Sequence, residues 1–134
     1  RFHKRGWRDG SGKADVFQRA DPEANVWGVV FEIDEREKPT LDRIEGLGRG
    51  YDETRLPVTT ASGATRHAWL YRAHPSAIAP DLLPFCWYRD LVLAGAREHG
   101  LPDDYIRRHI ESCPPRTDPD SDRALRHRAL IPSA

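Results

Sequence analysis

Methionine is missing from this chain: none of its 134 residues is Met, and it opens with Arg1. Because a ribosomal product begins with Met, we interpret the start either as a trimmed first residue or, more sharply, as a missing segment. Excess charge is missing too, since 21 Lys and Arg balance 21 Asp and Glu. Nucleic-acid binding depends on neutralising phosphates, so a net charge of zero disfavours that class of function.

Cysteine and long apolar runs are scarce. Cys86 and Cys113 are the two thiols, too few for a disulfide framework, and we interpret them as free thiols of a cytoplasmic protein. The six His residues lack the spacing of metal ligands, so no metal is expected. No apolar run approaches the roughly 20 residues of a membrane span, and no stretch resembles a signal peptide, so no membrane partner is expected.

Apolar residues alternate in several short stretches, which is typical of strands. The clearest stretch is residues 25–33, where Trp27, Val29, Phe31 and Ile33 share one face. The pattern predicts strands at residues 14–19, 25–33, 51–60 and 65–73, of which the last two form a hairpin. Residues 1–13 are predicted to hold the end of a further strand, followed by a turn.

Helical spacing predicts three helices, at residues 34–45, 84–99 and 103–111. Asp34 is placed to cap the first, and Leu41, Ile44 and Glu45 share one of its faces. Gly100 stands where a glycine commonly ends a helix. From residue 114 onward the chain is polar and rich in Pro and Asp, which predicts an extended tail.

Glu45 is the acidic residue with the strongest functional signal. Its helical spacing to Leu41 puts it on a face that should be buried, and Gly46 follows it directly. Burial raises the pKa of a carboxyl group and tunes it for proton transfer near neutral pH. The alternative is an exposed or capping Glu at a helix end.

Other polar and aromatic residues carry weaker signals. Tyr51, Tyr71 and Tyr88 could each place a hydroxyl in a pocket, although such tyrosines are more often part of a core. The basic cluster near the N-terminus is interpreted as a solvated face and consists of Lys4, Arg5, Trp7 and Arg8.

Taken in order, several segments resemble the γ-glutamylcyclotransferase family, including its AIG2-like relatives. The most specific are LDRIEG at 41–46 followed by Tyr51, and GAREHGLPDDY at 95–105. FHKR at 2–5, DGSGK at 9–13, VWGVVF at 26–31 and WY at 87–88 match in the same order.

This resemblance implies an α+β fold, in which a small closed or nearly closed β-barrel is flanked by helices. It implies an enzyme that converts γ-glutamyl amino acids to 5-oxoproline and a free amino acid without metal or organic cofactor. The catalytic glutamate falls on Glu45, and the residues implied to bind the small-molecule substrate are Tyr51, Tyr88 and Gly46.

The chain departs from the family at one motif, an N-terminal YGSN strand and loop that holds the glutamyl group. Because residues 1–134 contain no such sequence, we expect a γ-glutamylcyclotransferase-like domain over 1–113 that lacks its first strand and loop, with a polar tail at 114–134. The alternative is a non-catalytic AIG2-like binding module or inactive fragment. The sequence leaves the leaving-group preference and the oligomeric state open.

Overall fold

Two antiparallel hairpins make up the β structure of this computed structural model, which describes residues 1–21 and 23–131. Strand β1 (Phe2–Arg5) pairs with β2 (Gly12–Ala14), and β3 (Tyr51–Thr59) pairs with β4 (Thr65–Ala73). The second hairpin runs in register from Tyr51 opposite Ala73 to Thr59 opposite Thr65. The predicted hairpin at 51–60 and 65–73 is confirmed.

Four α-helices follow the sequence pattern in part. Helix α1 continues from a 3₁₀ turn, and α3 continues into a π-helical turn. Their bounds are Lys38–Glu45 for α1 (after Glu35–Glu37), Cys86–Glu98 for α2, Asp103–Ile106 for α3 (before Arg107–Glu111) and Ser121–Arg128 for α4. A further 3₁₀ turn spans Pro75–Ala77. The three predicted helices are thereby confirmed, including Asp34 as the cap and Gly100 with a positive φ of 65°.

The main core lies between the first hairpin and helices α2 and α3. Phe2 of β1, Ala96 of α2, Ile106 of α3 and Ile110 of the π-helical turn form a buried cluster. Phe2 also meets Tyr88 edge to face, with ring centroids 6.1 Å apart. This packing holds β1 against α2 and so fixes one side of the candidate site.

The strand predicted at residues 25–33 is wrong, because that segment has no regular structure. Its apolar side chains stay exposed, with Phe31 the most open at 69%. A strand needs a neighbour for its backbone groups, and within the described residues no other strand pairs with this segment. Phe31 packs instead against His99, with ring centroids 5.9 Å apart. The strand predicted at 14–19 is also wrong beyond Ala14, where β2 ends.

The expected α+β class is confirmed, whereas the barrel is not observed. Within residues 1–21 and 23–131 the two hairpins form separate two-stranded sheets. A closed barrel requires continuous pairing around all of its strands. The barrel therefore stays a prediction.

The extended tail predicted from residue 114 is wrong over α4, which packs against α2. His127 stacks on Trp87 with ring centroids 4.0 Å apart, and the Trp87 indole N–H donates to Asp118 Oδ2 at 2.7 Å. Arg123 also pairs with Asp118. These contacts give a polar segment an apolar anchor, so it forms a helix. Residues 132–134 of the predicted tail lie outside the described residues.

Candidate functional site

Glu45 stands at the carbonyl end of α1. Gly46 ends the helix in the left-handed conformation with φ 78°, and the amides of Gly46 and Leu47 both donate to the Asp42 carbonyl oxygen. The turn buries Gly46, and a methyl group on it would lie 3.6 Å from Trp7 Nε1. Gly46 thus directs the C-terminal end of α1, which carries Glu45, toward the first hairpin.

An ion-pair network ties α1 to the second hairpin. Lys38 pairs with both Asp42 of its own helix and Glu53 of β3, and these contacts raise the pKa of the Lys38 ammonium. The Tyr71 hydroxyl of β4 donates to Asp42 as well. Tyr71 therefore acts as a link between elements, in keeping with the structural interpretation of this tyrosine.

Tyr51 and Tyr88 both reach the backbone of Ala14. The Tyr51 hydroxyl donates to the Ala14 carbonyl oxygen at 2.9 Å, and the Ala14 N–H donates to the Tyr88 hydroxyl at 3.2 Å. Burial raises the pKa of each phenol, and the negative charge of Glu45 contributes to both shifts. Tyr51 and Tyr88 thus meet at Ala14, within the influence of the Glu45 charge, and the site that the resemblance implies for these residues stays a prediction.

Glu45 itself is half-buried. Burial raises the pKa of its carboxyl group, and the nearby positive charge of Lys4 opposes that shift. A raised pKa suits a group that must first accept and then return a proton. Within the described residues Glu45 makes no ion pair, unlike Asp9, Asp15 and Asp42.

Lys4 is the site residue that the sequence interpretation missed. The expected solvated face is confirmed for Arg5, Trp7 and Arg8 but wrong for Lys4, which is only 3% exposed. Its ammonium lies 4.2 Å from the centroid of the Tyr51 ring. No local pattern could have found it, because β1 buries Phe2, His3 and Lys4 in succession and its pairing register shifts between Phe2 and Lys4.

The described part of the chain contains no group of three or more His, Cys, Asp or Glu residues that could hold a metal ion. Over the same residues, no helix has the length and apolar character needed to cross a bilayer.

Comparison with known proteins assigns the chain to a family. A model described as AIG2-like family matches residues 25–108, which is more than half of the chain. The chain belongs to the AIG2-like family. The matched range of this AIG2-like chain includes Glu45, Gly46, Tyr51 and Tyr88 and stops short of Lys4.

Curated relatives are named gamma-glutamylcyclotransferase. The protein of that name from Mus musculus is 33% identical over 97 residues, covering 70% of this chain and 48% of the relative. The Homo sapiens protein gives the same identity and coverage. The chain therefore spans about half the length of the curated relatives it matches, and it is similar to them over that part.

Solved structures agree on the fold. A crystal structure of uncharacterized protein loc79017 from Homo sapiens superimposes with a TM-score of 0.65 and 26% identity, covering 86% of this chain and 68% of that one. A structure named gamma-glutamyl cyclotransferase gives a TM-score of 0.72 at 24% identity, covering 92% and 74%. The second similarity is evidence for the fold alone.

Proposed function

We propose that this chain is a γ-glutamylcyclotransferase, in which Glu45 is the proton-transfer group and Tyr51, Tyr88 and Gly46 bound the substrate. The reaction converts a γ-glutamyl amino acid into 5-oxoproline and a free amino acid. The names of the curated relatives support the activity. The observation that carries the proposal is a half-buried carboxylate with a raised pKa, whose charge acts on the phenols of Tyr51 and Tyr88 that meet at Ala14.

The proposed reaction is an intramolecular acyl transfer. The α-amine of the substrate attacks its own γ-carbonyl carbon, a C–N bond forms to close a five-membered ring, and the original γ-amide C–N bond breaks. Holding the chain folded for this attack supplies much of the rate. Glu45 first takes the proton that keeps the α-amine from attacking and later gives a proton to the departing amine.

The phenol contacts fit this chemistry. Because Tyr88 accepts a hydrogen bond from the Ala14 N–H, its own hydroxyl proton remains able to donate to a substrate oxygen. Tyr51 donates to the Ala14 carbonyl, so its oxygen lone pairs remain able to accept. The two tyrosines thus offer one donor and one acceptor beside Glu45.

Release of 5-oxoproline from a panel of γ-glutamyl dipeptides tests the proposal, using the protein expressed from its complete gene. We expect the wild type to form 5-oxoproline, and Glu45→Gln to lower kcat by about 100-fold or more, because an amide cannot accept the proton. Glu98→Gln, at the exposed end of α2, is the matched control and should retain wild-type kcat.

Two outcomes would contradict the proposal. A wild-type protein that binds the dipeptides and releases no 5-oxoproline would favour a non-catalytic AIG2-like module. A Glu45→Gln variant with wild-type kcat would remove Glu45 from the mechanism.

A further inference from the structure

Lys4 is only 3% exposed as a residue, and its ammonium has no acceptor within the described residues. The other lysines are paired: Lys13 donates to Asp9 and Ser11, and Lys38 pairs with Asp42 and Glu53. The pKa of Lys4 is lowered by burial and is otherwise affected only by charges at a distance. Within the described residues no fully buried side-chain nitrogen or oxygen lacks a partner, so the Lys4 ammonium keeps some contact with solvent and is open to a ligand.

The residues around Lys4 contact its ammonium, but among the described residues none accepts a hydrogen bond from it. The face of the Tyr51 ring lies 4.2 Å from Nζ, and a methyl group on Gly50 would lie 3.4 Å from the same atom. A ring face attracts a cation, but it does not replace the oxygen acceptors that three ammonium N–H groups need. The ammonium is therefore positioned by packing and is available to an anion.

Of the carboxylates whose charge reaches Lys4, two already have partners of their own. Asp9 accepts from Lys13 and Ser11, whereas Asp15 accepts from His3 and the Ala73 amide. Glu45 is the remaining one, and it makes no hydrogen bond or ion pair within the described residues. Lys4 and Glu45 are thus a cation and an anion that influence each other's charge without forming an ion pair.

We propose that Lys4 binds the α-carboxylate of the substrate while Glu45 takes the proton from the α-amine. An amino acid carries these two groups on a single carbon, so a site whose cation and anion influence each other's charge is complementary to both. This inference rests on the proposed function for the identity of the ligand. It adds a carboxylate subsite that fixes the Cα of the glutamyl group and so directs the amine toward the γ-carbonyl carbon.

Lys4→Met is the variant that tests the subsite, and Arg5→Met is its matched control, because Arg5 is the exposed neighbour on the same strand. The substrates are γ-glutamyl-alanine and its analogue in which the glutamyl α-carboxylate is a carboxamide. We expect Lys4→Met to raise KM for γ-glutamyl-alanine by about 10- to 100-fold, the size of a lost charge-assisted hydrogen bond. Its kcat/KM for the carboxamide should stay near that of the wild type.

The ratio of kcat/KM between the two substrates separates this role from a structural one. The wild type and Arg5→Met should both prefer the carboxylate, Lys4→Arg should retain part of the preference, and Lys4→Met should lose it. A Lys4→Met variant that keeps the full preference would overturn the subsite and leave the role of Glu45 intact.

A measurement on the wild type keeps the test independent of turnover and of folding of the variant. The ¹³Cε resonance of Lys4 should shift on titration with 5-oxoproline, which carries the carboxylate, and not with 5-oxoprolinamide. The resonance of Lys38 serves as the internal control. An unmoved Lys4 resonance at saturating 5-oxoproline, or equal shifts with the two compounds, would overturn the inference.

Discussion

At the scale of single residues, the protonation of Glu45 is set by two opposing influences. Burial raises the pKa of its carboxyl group, and the positive charge of Lys4 lowers it. Because only the deprotonated form can accept the amine proton, activity should fall as pH drops through this pKa. We expect the acid limb of kcat/KM to lie above the ordinary Glu pKa of about 4.3.

The same influences give Lys4→Met a predicted direction on the pH profile. Removing the ammonium removes the interaction that favours the carboxylate, so the acid limb should move to higher pH. The measurement is kcat/KM across pH for γ-glutamyl-alanine, with Arg5→Met as the control that leaves the limb in place. An acid limb that moves to lower pH in Lys4→Met would show that the two groups do not interact as the structure indicates.

Two glycines give opposite predictions for the same substitution. Gly46 has φ 78° at the end of α1, where an L-residue is strained, so Gly46→Ala should lower the free energy of unfolding by about 1 kcal/mol. Gly95 lies inside α2 with no atom within 4 Å of an added methyl group, so Gly95→Ala should raise it by about 0.5–1 kcal/mol. Urea unfolding of both variants checks this. Equal effects would contradict the assigned conformation of Gly46.

At the scale of elements, apolar alternation is clearest at residues 25–33, where the predicted strand is wrong, while the predicted hairpin at 51–73 is confirmed. Residues 51–73 form a hairpin because the turn brings the partner strand within the same short stretch. Residues 25–33 alternate as well, but pairing depends on a strand elsewhere, and the described residues offer none. Local pattern thus predicts which side chains could share a face and not whether a neighbour is present.

The residues of the candidate site differ in the same respect: some have a local sequence signal, and others depend on residues far along the chain. The helix end at Glu45 and Gly46 could be predicted because a terminal glycine is a local signal, whereas the predicted burial of that helix face is wrong for Ile44, which is 63% exposed. Lys4 could not be placed with them, because its burial depends on Tyr51 and Gly50, which lie far along the chain. Helix α4 was missed for a similar reason, since its anchor is Trp87 of α2.

Docking of α4 yields a prediction about Asp118. This carboxylate accepts from the Trp87 indole and from Arg123, and the Arg123 hydrogen bonds hold its pKa well below the ordinary range. Asp118→Ala should lower the free energy of unfolding by about 2 kcal/mol, whereas exposed Asp122→Ala should change it by about 0.5 kcal/mol or less.

The lowered pKa of Asp118 determines how its contribution to the free energy of unfolding changes with pH. The contribution of Asp118 is fully present above its unfolded pKa of about 3.9 and is lost as pH falls below it. The difference between wild type and Asp118→Ala should therefore shrink in acid. Trp87 is only 5% exposed, so its fluorescence should report undocking. A stability difference that grows as pH falls would contradict this assignment.

At the scale of the whole molecule, Ala14 and Asp15 join the separate sheets. The backbone of Ala14 meets Tyr51 of the second hairpin and Tyr88 of α2. Asp15 Oδ2 lies 2.8 Å from His3 Nε2, and Asp15 Oδ1 accepts from the Ala73 amide at 2.7 Å. The geometry of the candidate site thus depends on a junction where β2 ends.

Asp15→Ala tests whether this junction makes the molecule unfold as one unit. The substitution leaves the buried His3 ring and the Ala73 amide without their acceptor, which should cost about 3 kcal/mol in the free energy of unfolding. Exposed Asp52→Ala on β3 is the matched control and should change it by about 0.5 kcal/mol or less.

Urea unfolding followed by both far-UV circular dichroism and tryptophan fluorescence measures the effect. Coincident transitions that shift together in Asp15→Ala would establish a single cooperative unit. Equal midpoints for the two variants would instead mean that the hairpins are held together elsewhere, since the buried carboxylate of Asp15 would then contribute no more than an exposed one.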